Sequence, residues 1–323
     1  TESMGQTAGS SLFHSFSEFN LSSTESATFS GSAGITNIIS RVTGDNASMI
    51  DGTITSTIDG ANFYFVNPNG IIFGENAQLN VRASFYASTA DYITLGNDGR
   101  FDVTQTANSV FTASSPASFG FLDTSVGTIS IYGADLSVPV GEDISMVTNE
   151  ILVSGNVDSV YNLAGSRASL TAISGDVSLL AVGSGTEVAI DKSTYDSSGS
   201  EYTGNLILEN ADIRSSGDSA GTVYIRGGNL VIQDNSIIES THSGVTSTAR
   251  VGIDVNIKNT IDLRASTVKT NTTSIGYGGD INMRFRNLNI LDGASIRVES
   301  NGAQSTAGGL SLYGRDVLVS GVD

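Results

Sequence analysis

The chain has 323 residues, of which 39% are hydrophobic and only 15% are charged, with 37 glycines, 3 prolines and no cysteine. Acidic residues outnumber basic ones 33 to 15, and the net charge of −18 argues against a nucleic acid partner, since no basic patch can neutralise phosphates. The absence of cysteine excludes disulfides and thiolate metal sites, and no apolar run is long enough for a membrane-spanning helix.

The first distinctive segment is FHSFSEFNL, residues 13–21, which is aromatic and strand-like. The first layer of a stack of strands leaves an unpaired edge and an open core, which a folded chain must cover. The spacing of the aromatic residues predicts an N-terminal cap in which their rings plug that open end. The expected cap residues are Phe13, His14, Phe16 and Phe19.

A rigid turn follows in FVNPNGIIFG, residues 65–74, between two apolar strand-like runs. Pro68 fixes the φ angle that the second position of a β-turn requires, and Asn67 can bond its side chain to the backbone two residues on. Asn69 and Gly70 suit the rest of the turn. These four residues predict a turn that forms almost independently of its surroundings. On spacing alone, the simplest interpretation is a well-formed corner of the fold.

Short strands with period-two alternation continue after this turn, and helical periodicity is nearly absent. The hydrophilic run DKSTYDSSGSE, residues 191–201, interrupts them. We expect this run to be an excursion from the fold, either a hairpin tip or a loop, and a domain linker is the alternative.

Three similar segments near the C-terminus begin at Gly221, Val251 and Gly278. The first strand of each unit aligns through inward residues, and a fourth copy of that strand follows. The aligned pairs are Val223/Ile225, Ile253/Val255, Ile281/Met283 and Leu310/Leu312. Two further strands follow in each unit: Leu230/Ile232 then Ile237, Ile261/Leu263 then Val268, and Leu288/Ile290 then Ile296/Val298. Polar residues between the inward ones, such as Tyr224, Asp254 and Asn282, are expected to face outward.

Units of three short strands that repeat along a chain predict an all-β solenoid, the parallel β-helix, in which each unit is one coil. One buried Val, Ile or Leu contributes about 1.5–3 kcal/mol, so a coil is stable only when neighbouring coils cover both of its open faces. We expect residues 1–323 to form a single β-helical domain. The strand-like pattern still runs at the C-terminal end, which predicts that the chain is truncated there within a longer protein.

The region from Phe13 to about Ser88 resembles a known family. The segments FHSFSEFNL, NIISRVTGDNASMIDGTI, ANFYFVNPNGIIFGENAQLNV and SFYASTA together look like the secretion domain of two-partner-secretion exoproteins, the filamentous-haemagglutinin-like adhesins. The resemblance continues more loosely through FGFL at 119–122 to about residue 185. Family members also carry an upstream NPNL motif, and in this chain NIISRV at 37–42 occupies the corresponding region.

The resemblance implies a right-handed parallel β-helix with an N-terminal β-cap and extra-helical strands. Residues 1–190 would form the cap and the secretion-domain core, and residues 191–323 would add further coils. The resemblance also implies export behind a removed signal peptide, from the periplasm of a Gram-negative-type cell to the medium or cell surface. POTRA domains of a dedicated outer-membrane β-barrel transporter would recognise the chain, and Asn67, Pro68, Asn69 and Gly70 would form the recognition motif.

Two other function classes fit a β-helix. A polysaccharide-active enzyme would need paired carboxylates on neighbouring coils, for which Asp254, Asp262 and Asp280 are the candidates. A carbohydrate-binding adhesin stalk would use polar ladders on its outer faces. The chain has 2 histidines, His14 and His242, and no cysteine, so no metal site, catalytic residue or cofactor is predicted. We expect a monomer, because the sequence shows no exposed apolar stripe.

Overall fold

The structure, a computed structural model, describes residues 1–122, 127–155, 166–195, 202–245 and 250–321. These residues form 35 β-strands and three short 3₁₀ helices, and no α-helix lies among them. The prediction of an all-β chain is confirmed.

The three 3₁₀ helices, Glu2–Met4, Thr106–Asn108 and Lys192–Thr194, lie between strands or before the first one. The N-terminal strands are β1 (Gln6–Ala8), β2 (Ser11–Phe16), β3 (Ser26–Phe29), β4 (Asn37–Val42), β5 (Ser48–Ile50), β6 (Thr53–Ser56), β7 (Asn62–Val66), β8 (Ile71–Phe73), β9 (Gln78–Asn80), β10 (Phe85–Ser88), β11 (Tyr92–Leu95), β12 (Gly99–Asp102) and β13 (Pro116–Phe121). The central strands are β14 (Thr128–Tyr132), β15 (Asp135–Val138), β16 (Ile144–Thr148), β17 (Glu150–Ser154), β18 (Ala168–Ala172), β19 (Val177–Ala181), β20 (Thr186–Ala189), β21 (Asn205–Glu209), β22 (Ala211–Arg214), β23 (Val223–Gly227), β24 (Asn229–Gln233) and β25 (Ile237–His242). The C-terminal strands are β26 (Arg250–Ile257), β27 (Thr260–Arg264), β28 (Thr267–Thr272), β29 (Gly276–Tyr277), β30 (Gly279–Arg284), β31 (Asn287–Leu291), β32 (Ser295–Ser300), β33 (Ser305–Thr306), β34 (Leu310–Tyr313) and β35 (Asp316–Ser320).

The strands stack into three long faces, which we name A, B and C in the order in which the chain meets them. Face A is an eleven-stranded sheet, β1-β2-β4-β7-β10-β16-β19-β23-β26-β30-β34, in which all strands but β1 run parallel. Face B is the nine-stranded sheet from β5 to β35, and face C consists of the sheets β3-β6-β9 and β15-β18-β22-β25-β28-β32. Each passage through A, B and C is one coil, so the predicted parallel β-helix is confirmed. We number the coils by their face A strand, from β2 in coil one to β34 in coil ten.

The predicted alignment of the C-terminal repeats is confirmed on face A. Val223, Ile253, Ile281 and Leu310 are partners in successive parallel strands. Face B keeps the predicted pairing as well, with Leu230 opposite Ile261 and Ile261 opposite Leu288.

The prediction for face C is wrong by one residue in coil seven. Ile238, and not Ile237, is the partner of Val268, and Ile238 is fully buried. Two consecutive residues with positive φ, Asp234 and Asn235, form the preceding corner. The geometry of that corner decides which isoleucine faces inward, and alternation cannot reveal it because both residues are isoleucine.

Buried Val, Ile, Leu, Met, Phe and Ala side chains from all three faces form one continuous core along the helix axis. The core begins at Leu12 in β2 and extends to Leu288 in coil nine. Neighbouring coils lie about 4.8 Å apart, so each inward side chain packs on the corresponding side chain of the next coil.

A second core lies outside the helix, against face A. Two excursions of the chain, after β10 and after β19, supply the antiparallel sheet β12-β11-β13-β20. These are the extra-helical strands that the family resemblance implies. Their inner side chains pack on outward residues of face A, and the cluster includes Tyr64, Tyr86, Ile93, Phe119 and Val188.

The packing of this sheet explains the residues of the segment FGFL. Phe119 and Phe121 point into the second core and are buried. Gly120 faces the other way, and a Cβ there would lie 1.9 Å from the ring of Tyr92, which therefore covers the bare backbone. Arg100 also lies over that ring, with its guanidinium carbon 3.5 Å from the ring centroid.

Cationic side chains join both excursions to the helix. Arg41 in β4 donates to the backbone carbonyl of Asp102 and, at 2.8 Å, to Ser109 Oγ in the first excursion. Arg226 in β23 donates from Nε to the carbonyl of Tyr195 in the second excursion, at 3.0 Å. Lys192 Nζ lies between two aspartates next to face A strands, 2.5 Å from Asp143 and 2.6 Å from Asp176.

Residues 191–195, the described part of the run 191–201, lie in the second excursion, as predicted, but they are not wholly outside a core. Tyr195 is 2% exposed and packs edge-on against Tyr224 with 5.6 Å between ring centroids. Burial raises the pKa of the Tyr195 hydroxyl well above its ordinary value. Residues 196–201 of this run lie outside the described residues.

Candidate recognition site

The NPNG segment is the corner between β7 and β8, where coil three passes from face A to face B. The Gly70 amide donates to the Asn67 carbonyl at 3.1 Å, which closes a β-turn. The Asn69 amide donates to Asn67 Oδ1 at 3.0 Å, as the sequence predicted. Gly70 has a φ of +120°, which favours glycine.

In the folded domain the turn is also bonded to its surroundings, which the sequence alone did not show. The Asn67 side chain is fully buried, and its Nδ2 donates to the carbonyl of Asn46 and to Ser48 Oγ, both at 3.0 Å. Asn69 Nδ2 donates to the carbonyl of Gly44 at 2.7 Å. The two asparagines therefore join the corner of coil three to the corner of coil two.

Only part of the motif faces solvent in the folded domain. Asn69 is exposed and Pro68 is partly exposed, whereas Asn67 and Gly70 are buried. On the other side, coil four approaches closely, because a Cβ on Gly127 would lie 2.5 Å from the Pro68 carbonyl oxygen. A partner of the folded domain could contact the ring of Pro68 and the amide of Asn69, but not the whole NPNG segment.

The N-terminal end is closed by β1, which pairs antiparallel with β2, and by a cluster of rings. His14, Phe16 and Phe19 all belong to this cluster. The Phe16 and Phe19 centroids are 5.2 Å apart, and His14 is 6.1 Å from Phe16. The imidazole is buried and its Nε2 has no hydrogen-bond partner among the described residues. Burial lowers the pKa of His14, with a smaller contribution from the N-terminal amine.

Phe13 lies elsewhere, contrary to the predicted cap. It occupies the opposite face of β2, in the second core, 5.0 Å from Phe101 and 4.9 Å from Phe111 between ring centroids. Because adjacent residues of a strand face opposite ways, Phe13 and His14 cannot share one plug.

Sequence reasoning missed Phe29, which takes the place expected of Phe13. Phe29 lies 5.3 Å from His14 and 4.7 Å from Phe63 between ring centroids. The alternation of Ala27 and Phe29 was the available signal. Phe19 similarly lies 4.9 Å from Phe65, two residues before Asn67. The ring cluster and the NPNG corner therefore share one packed unit.

The three acidic residues considered for an enzyme each bind a different partner. Asp254 is on face A and pairs with Arg226 at 3.2 Å. Asp262 is on face B, where it accepts from Asn289 Nδ2 at 2.6 Å. Asp280 lies near the start of β30, where it accepts from the Gly309 amide. Across the described part of the chain, no group of three potential metal ligands is present. Within the same residues, no helix has the length and apolarity to span a membrane.

Comparison with known families decides the assignment. The family model of the TPS secretion domain matches residues 3–232, which include the ring cluster, the NPNG corner and both excursions. The chain belongs to the TPS secretion domain family. The match continues into β24, beyond residue 190, where the sequence-based boundary of the secretion core was placed. That boundary stays a prediction.

TPS domains act in two-partner secretion, in which an exoprotein crosses the Gram-negative outer membrane with the help of a transporter partner. The chain is therefore a domain of a secreted exoprotein. Among solved structures, the HMW1 secretion domain of Haemophilus influenzae is similar, with a TM-score of 0.42 and 14% identity over 98% of this chain and 96% of that chain. No curated protein sequence matches the chain.

Proposed function

We propose that this TPS domain directs export by offering its NPNG segment to the POTRA domains of its transporter before coils two and three have joined. The burial of Asn67 supports this order of events. The turn itself is made by local bonds within residues 67–70, so it can form early. Once Asn67 binds the corner of coil two, most of the segment is no longer accessible.

The domain then nucleates folding of the β-helix outside the cell. Phe19, Phe29, Phe63 and Phe65 link coil one to coil three, so the N-terminal end can form a packed unit first. Each later coil buries apolar side chains on the one before, which favours outward movement of the chain. The lack of cysteine fits this route, since a disulfide formed in the periplasm would close a loop before transit.

An engineered disulfide provides the test. Thr55 and Asn80 are register partners on face C of coils two and three, away from the NPNG corner. Adjacent parallel strands place Cα atoms within disulfide range. The Thr55→Cys/Asn80→Cys domain should bind immobilised POTRA domains when reduced and diluted from urea. The same domain, folded and oxidised, should bind at least tenfold more weakly.

The Thr55→Cys single variant is the matched control and should bind like wild type under both redox conditions. A Pro68→Ala variant should bind more weakly when diluted from urea, although its folded state is nearly unchanged in stability. Equal POTRA binding by the oxidised and reduced double variant would contradict recognition before the coils join.

A further inference from the structure

An apolar column runs along the outer surface of face B. Register places the following outward residues of coils two to seven directly above one another: Met49, Ile72, Ser130, Leu152, Ile207 and Val231. All except Ser130 are apolar and partly exposed. We name these six residues the outer stripe. It corrects the expectation that no exposed apolar stripe exists, because only the register brings together residues so distant in sequence.

The outer stripe ends where the family match ends. In coils eight and nine the same column continues with Asp262 and Asn289, which are polar. Val231 is the last member of the stripe, and the family match ends at residue 232. The continuous stripe therefore lies within the residues that the family model matches; two polar residues separate it from Leu318, the residue of the same column in coil ten.

The surface along the stripe is concave at both ends. One depression, of about 310 Å³, is lined by Leu152, Ile207 and Val231 together with flanking polar residues. A second depression, of about 510 Å³, lies around Met49 and Asp51 at the N-terminal end. Bulky apolar side chains of a partner could enter both.

The rims of the stripe carry polar side chains and three carboxylates. On one side Glu150, Asn205 and Asn229 form a ladder of side-chain hydrogen bonds, of 3.3 Å and 2.9 Å. Asp51 and Glu209 occupy the other side. None of the flanking outward positions in coils two to seven, all of which are described, is lysine or arginine. Such a rim complements a partner with basic residues on both sides of an apolar face.

We propose that the outer stripe binds an amphipathic α-helix with a basic polar face. Its six positions span about 24 Å at about 4.8 Å per coil, which equals roughly 16 residues of helix. A helix presents apolar side chains about every 5.4 Å along one face, close to the coil spacing. A β-strand lying along the stripe would present side chains on one face about every 6.7 Å. Its side chains would no longer match the positions of the coils after two coils. A second copy of this acidic domain would meet like charge.

The probe is a synthetic 18-residue peptide with leucine at helical spacing and lysine on its other face, titrated into the folded 323-residue domain by fluorescence anisotropy. We expect binding in the micromolar range that weakens with salt. Two further peptides test the chemistry: one with the same composition in scrambled order, and one with glutamate in place of lysine. Both should bind at least tenfold more weakly.

Ile207→Thr, which keeps a β-branched side chain on the strand, should weaken binding of the leucine-lysine peptide at least fivefold. Leu152→Thr serves as a second variant if Ile207→Thr does not fold. Ile173→Thr removes an equally apolar side chain that is 45% exposed outside the stripe, and it should leave binding unchanged. Glu150→Gln should reduce the salt dependence.

Three results would overturn the proposal: equal binding of the scrambled peptide, equal loss in Ile173→Thr, or no binding up to millimolar peptide. Sedimentation provides a further check. A dimer that dissociates in Ile207→Thr would assign the stripe to a second copy of the chain and reject the helix. The assay contains no transporter, so its outcome is independent of recognition at the NPNG segment.

Discussion

The Nδ2 of Asn67 donates a 3.0 Å hydrogen bond to the Oγ of Ser48, one coil earlier, and both side chains are buried. The same nitrogen donates to the Asn46 carbonyl. The first asparagine of the NPNG segment is therefore a structural connection between two coils. Its contribution to folding must be separated from any contribution to recognition.

Asn67→Ala should lower the free energy of unfolding by about 2–3 kcal/mol, because it leaves the Asn46 carbonyl and the buried Ser48 hydroxyl without their donor. Asn69→Ala should cost about 1 kcal/mol or less, because Asn69 is exposed and its lost partner can bind water. Urea unfolding followed by circular dichroism measures both. Equal losses of unfolding free energy in the two variants would show that the burial of Asn67 does not determine its contribution to stability.

The corrected register on face C predicts opposite behaviour for two neighbouring isoleucines. Ile238→Ala should destabilise the domain by about 2–5 kcal/mol because it opens a cavity in the continuous core. Ile237→Ala, at a partly exposed position, should cost about 1 kcal/mol or less. Urea midpoints of the two variants distinguish the two registers. A larger loss of stability for Ile237→Ala than for Ile238→Ala would support the alignment inferred from the sequence.

The Arg226 connection predicts a local effect on the second excursion. Arg226→Met keeps the apolar stem but leaves the Tyr195 carbonyl and the Asp254 carboxylate without their donor, at a cost of about 3 kcal/mol. Amide hydrogen exchange in residues 190–195 should accelerate. Arg214→Met is the control, since the Arg214 side chain is 41% exposed and its ion pair with Asp212 should contribute little. Unchanged exchange in Arg226→Met would argue against the connection.

His14 predicts a pH dependence of stability. Burial lowers the pKa of His14 in the folded state, so the unfolded chain binds a proton more readily when pH falls through about 6.5. The free energy of unfolding should therefore fall between pH 7.5 and pH 5.5, roughly the range in which an unperturbed imidazole titrates. His14→Phe suits the ring cluster and should reduce this fall, measured as the difference between the melting temperatures at the two pH values.

His242, whose pKa is also lowered by burial, supplies the control for this prediction. The pH dependence left in His14→Phe should diminish further in the double variant with His242→Phe. The same pH dependence in wild type and His14→Phe would show that His14 is not responsible.

The sequence predicted the repeat far better than the corners. Inward residues such as Val223 and Ile253 recur with period two, and their register follows because a slip would turn every side chain to the other face. The positions of Ile238 and Phe13 could not be read in the same way. The first depends on the backbone of a corner, and the second depends on an extra-helical sheet that covers face A.

The candidate site was also predictable only in part. The local bonds of the NPNG turn were predictable, since asparagine, proline and glycine encode them within four residues. The bonds from Asn67 to Ser48 and from Asn69 to Gly44 were not, because they join residues far apart in the chain that only stacking brings together. The sequence did not predict the outer stripe for the same reason.

The central claim is that this domain directs transporter-dependent export through its NPNG segment. Cell fractionation with and without the cognate transporter tests this claim most directly. The full-length exoprotein, with wild-type sequence or with Pro68→Ala in this domain, is followed in medium, periplasm and cytosol. We expect wild type in the medium only when the transporter is present, and a several-fold smaller exported fraction for Pro68→Ala. Export that is unaffected by loss of the transporter would contradict the claim.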